Sequence, residues 1–79
     1  MDRKTLEEYL QQAQGHVASG RQHIERQRLL VDKLDRDGHD TVAAELLLRT
    51  FQETLEQHLS DLARLKGELA KLDSAPSGG

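Results

Sequence analysis

The chain has 79 residues, no cysteine and a net charge of −3, so it is one small domain with no disulfide to staple it. Charged side chains make up 32% of it, with the two signs interspersed, which excludes the basic excess of a general nucleic-acid binder. No apolar run nears the ~18 residues of a membrane-crossing helix, and the two aromatic residues, Tyr9 and Phe51, are too few for an aromatic cage or a base-stacking platform.

Met1-Asp2-Arg3-Lys4 is not followed by the apolar core of a signal peptide, which makes the cytoplasm the expected compartment. Thr5 and Glu8 have capping-box spacing, and Asp2 is a competing cap one turn earlier. A first helix is predicted over about 3–37. Its core-type positions are Leu6, Leu10, Ala13, Val17, Gly20, Ile24, Gln27, Val31 and Leu34, in steps that alternate four and three. That period of 3.5 is the signature of coiled-coil packing. Gly15 and Gly20 each weaken the helix by about 1 kcal/mol relative to alanine. Gly20 lies on the seam near Ala13 and Ala18, where little bulk allows close approach by a large side chain. The stretch Arg21 to Arg36 holds five basic and three acidic groups and reads as a solvated face.

Gly38 suits the left-handed position that closes a helix, and Asp40 or Thr41 can cap the next one. The turn is predicted at 38–40, and a connection this short makes the two helices antiparallel neighbours. The second helix is predicted over about 41–72. Its seam is Ala44, Leu48, Phe51, Leu55, His58, Leu62, Leu65, Leu69 and Leu72, again in unbroken alternation. Lys4–Glu8, Arg28–Asp32, Arg49–Glu53 and Arg64–Glu68 are spaced for weak intrahelical ion pairs. Residues 74–79 have linker composition and are expected to be disordered. The predicted fold is therefore all-α: an antiparallel, coiled-coil-like two-helix hairpin forming a single domain over 1–73.

Leucines crowd the turn end. Leu29, Leu30, Val31 and Leu34 on one helix and Leu46, Leu47, Leu48 and Phe51 on the other span too wide an arc for one seam to cover. Exposed apolar surface of that kind marks association. Leu48 and Phe51 are expected to be buried anchors there. The interface candidates are Leu29, Leu30, Leu46, Leu47, Leu48, Phe51, Gly20 and His58.

The four histidines are the candidates for chemistry. His16 and His23 share one stripe beside the seam, about 10 Å apart, too far to ligate one ion, and no His-x-x-x-His pair exists. His58 is on the seam and reads as a buried, hydrogen-bonded histidine with Asp61 at i+3 within reach. His39 is in the turn and reads as solvated. A solvent-facing histidine on a helical hairpin raises histidine phosphotransfer, through His16 or His23. His16 is followed four residues later by Gly20, as in phosphotransfer modules, but Ser19 stands where they place a lysine. There is no Gly-rich phosphate loop, no cysteine nucleophile and no serine with a plausible triad. No catalytic, cofactor-binding or metal residue is assigned, and no cofactor is expected.

The stretch from His23 through Gln27 to Gly38-His39-Asp40-Thr41, then Glu45-Leu46-Leu47 and Phe51, resembles a pattern in short uncharacterised bacterial helical-hairpin proteins with no assigned activity. The resemblance covers most of residues 20–65. It implies a fold and a bacterial source and transfers no functional residue.

The expected function is non-enzymatic: a small interaction or adaptor module acting through helix–helix contacts. Its expected first partner is a second copy, forming a homodimeric four-helix bundle, with neither nucleic acid nor membrane as a partner. Besides phosphotransfer, the alternative is a regulatory subunit that docks its turn end onto a larger protein, whose identity the sequence leaves open.

Overall fold

A computed structural model describes residues 2–74 as two helices, α1 (Arg3–Arg36) and α2 (Val42–Ser74), packed antiparallel as a hairpin. α1 is started by Asp2, whose Oδ1 accepts the backbone N–H of Thr5 at 2.8 Å. The helix therefore begins one turn earlier than the Thr5/Glu8 capping box would place it, because Asp2 already satisfies one of its free N–H groups.

α1 ends one residue before the predicted position 37, at a Gly38 with φ of +76°. The backbone N–H of Gly38 donates to the Asp35 carbonyl at 3.1 Å, and that of His39 to the Leu34 carbonyl at 2.8 Å. These are the two reverse bonds of a Schellman closure, and the left-handed residue they require favours glycine. Two residues start α2. Asp40 Oδ1 accepts the Val42 N–H at 2.9 Å, and the Thr41 carbonyl accepts the Glu45 N–H at 2.8 Å. α2 then runs past residue 72 to Ser74, whose hydroxyl donates to the Ala70 carbonyl at 2.8 Å. Ser74 thus belongs to the helix rather than to a disordered tail. The rest of that expected tail, residues 75–79, lies outside the described residues.

Packing follows the 3.5 period. Of the eighteen seam positions named from the sequence, all but Leu72 are buried or half-buried. Leu6, Ala13, Val17, Ile24 and Leu65 are the buried hydrophobics, and Leu6 is only 1% exposed. Leu72 is 43% exposed because no apolar residue of α1 lies beyond Leu6 to cover it. Arg3 occupies the next seam position and turns instead to Glu7 and Asp73.

Gly20 approaches α2 closely. A β-carbon built on it would lie 3.3 Å from Leu55 Cδ1, whereas one on Gly15 would meet nothing within 4 Å. The large side chain that the Gly20 notch receives therefore comes from the same hairpin. Of the four ion pairs expected from spacing, Arg64–Glu68 forms, at 3.7 Å. The others found among the described residues are Arg3–Glu7, Arg3–Asp73 and Asp61–Arg64. Hydrogen bonding and charge attraction from Asp73, then from Glu7, raise the Arg3 pKa above its already high ordinary value.

Candidate functional site: a histidine-lined side of the hairpin

The two flanks of the seam differ. His16 and His23 are seven residues apart, so helical geometry places them on one stripe. That stripe continues to Tyr9 at one end and Leu30 at the other. All four side chains are exposed. Opposite them, the antiparallel register brings up His58 and Phe51, also seven apart. His16 stacks on His58 with ring centroids 5.0 Å apart and planes inclined by 16°. One heptad nearer the turn, His23 stacks on Phe51 at 5.6 Å and 29°. Both contacts are the same rung of the hairpin, repeated.

Two shallow grooves follow this side. The first, about 270 Å³, is lined by Tyr9, His16, His58, Asp61 and Leu65 among others. The second, about 170 Å³, is lined by His16, Ser19, His23, Phe51, Thr54 and His58.

His58 departs from the sequence expectation. It is half-buried rather than buried, and Asp61 pairs with Arg64 at 3.8 Å instead of with the imidazole. No buried side-chain nitrogen or oxygen among the described residues lacks a partner. His58 is held on the seam by the face of His16, a flat contact of the kind that suits ring systems. His39 is exposed in the turn.

Ser19 lies between His16 and His23 on the second groove, three and four residues away. Acyl transfer would also need donors for an oxyanion, and mid-helix N–H groups are already committed to the helix ladder. Among the described residues, no group of three or more His, Asp or Glu is placed to hold a metal ion.

The chain matches no family model, no curated protein and no solved structure.

The interface candidates fall into two sets. Leu29, Leu30, Leu46 and Leu47 are exposed, Leu29 by 59% and Leu46 by 56%. Gly20, Leu48, Phe51 and His58 are half-buried within the hairpin. Leu48 and Phe51 are not the buried anchors their spacing predicts, because two helices wrap only one side of each. The exposed leucines do not form one stripe. Leu30 and Leu47 flank the seam on the histidine side, one helix each, whereas the helical period turns Leu29 and Leu46 to the outer faces. No helix of the described residues is long and apolar enough to cross a membrane.

Proposed function

We propose that the protein is a non-enzymatic interaction module that works through helix-on-helix contacts, and that its first partner is a second copy of itself. Two coiled-coil-like hairpins would then complete a four-helix bundle. One observation carries this reading. Among the described residues, five hydrophobic side chains are buried, while Leu29, Leu30, Val42, Leu46 and Leu47 are exposed around the turn. A chain this small buries a low fraction of its apolar surface, and covering each such side chain contributes about 1.5–3 kcal/mol.

The concentration dependence of thermal unfolding tests the reading. If the dimer is the folded species, Tm rises as concentration is raised 100-fold, because association shifts unfolding by mass action. A Tm that stays fixed over that range overturns it.

The second reading, phosphotransfer through His16 or His23, is favoured by the solvent exposure of both rings. Against it, His16 has one face on His58 and Ser19 stands where phosphotransfer modules carry a lysine. Treatment with a phosphoramidate donor separates the two readings. The interaction module forms no acid-labile phosphohistidine, whereas stoichiometric labelling lost in His16→Ala or His23→Ala would favour phosphotransfer.

A further inference from the structure

We draw no further inference here: the strongest candidate, the histidine-lined flank of the hairpin where His16 stacks on His58 and His23 on Phe51, is an unpartnered face, and nothing in the structure shows what covers it.

Discussion

The side-chain amide of Gln27 donates to the backbone carbonyl of Ala44 at 2.9 Å, tying the turn-proximal part of the α1 seam to the first turn of α2. Gln27 is the one polar side chain among the buried residues described. A slip of one helix along the other would strip its amide of this acceptor, so the bond selects the register as well as stabilising it.

Gln27→Ala is accordingly expected to lower stability by about 1–3 kcal/mol, combining a lost hydrogen bond with lost packing. Gln27→Leu restores volume without the bond and should be the more stable of the two variants. Urea denaturation measures both. Parity of Gln27→Ala with the parent would show that the bond contributes nothing to the fold.

The helical glycines are expected to diverge. Gly15→Ala enters open space and should stabilise by roughly 0.8–1 kcal/mol through helix propensity. Gly20→Val drives two methyl groups toward Leu55 and should destabilise by about 1–3 kcal/mol through overpacking. Thermal melts of the two variants have opposite signs if Gly20 is a packing notch. A stabilised Gly20→Val would mean that Leu55 yields freely.

The cap of α1 gives a pH dependence. Hydrogen bonding to Thr5, through its side chain and then its backbone N–H, holds the Asp2 carboxyl below its ordinary value near 3.8. A depressed folded-state pKa means that the contribution is fully present above 3.8 and is lost as pH falls through the folded value. Asp2→Asn keeps a capping oxygen that does not titrate. The parent should therefore lose stability more steeply than Asp2→Asn as pH falls from 5 to 2. Superimposable profiles would remove Asp2 from the account.

Phe51 is half-buried against His23, so Phe51→Ala should cost about 1.5–3 kcal/mol, less than the 3–5 kcal/mol of a fully buried ring. His23→Ala exposes the ring and should cost less than about 1 kcal/mol in chemical denaturation. A loss of about 4 kcal/mol or more on Phe51→Ala would show that the ring is enclosed and not half-buried.

The seam was legible because heptad spacing names the faces of a helix without reference to its partner. Leu6, Val17, Ile24 and Leu65 are buried where that spacing placed them. Gly38 was legible too, since a left-handed helix closure leaves few other choices. The ring stacks were not. His16 and His23 were identifiable as a flanking stripe and His58 as a seam residue, but which pairs meet depends on the stagger of one helix against the other. The hydrogen bonds through Gly38, His39 and Asp40 and the Gln27–Ala44 bond set that stagger, and no periodicity encodes it. Intrahelical ion pairs were over-predicted for a related reason. Spacing permits Lys4–Glu8 or Arg28–Asp32, yet exposed pairs gain little over water, and Arg3 is drawn to Asp73 across the hairpin.

Sedimentation equilibrium of the parent chain between about 1 and 100 μM tests the central claim most directly, because an interaction module built on an incompletely covered hairpin must associate in that range. The account predicts a mass approaching twice the 8.9 kDa of one chain, with full helicity in the dimer. A folded, fully helical 8.9 kDa species at every concentration would contradict it.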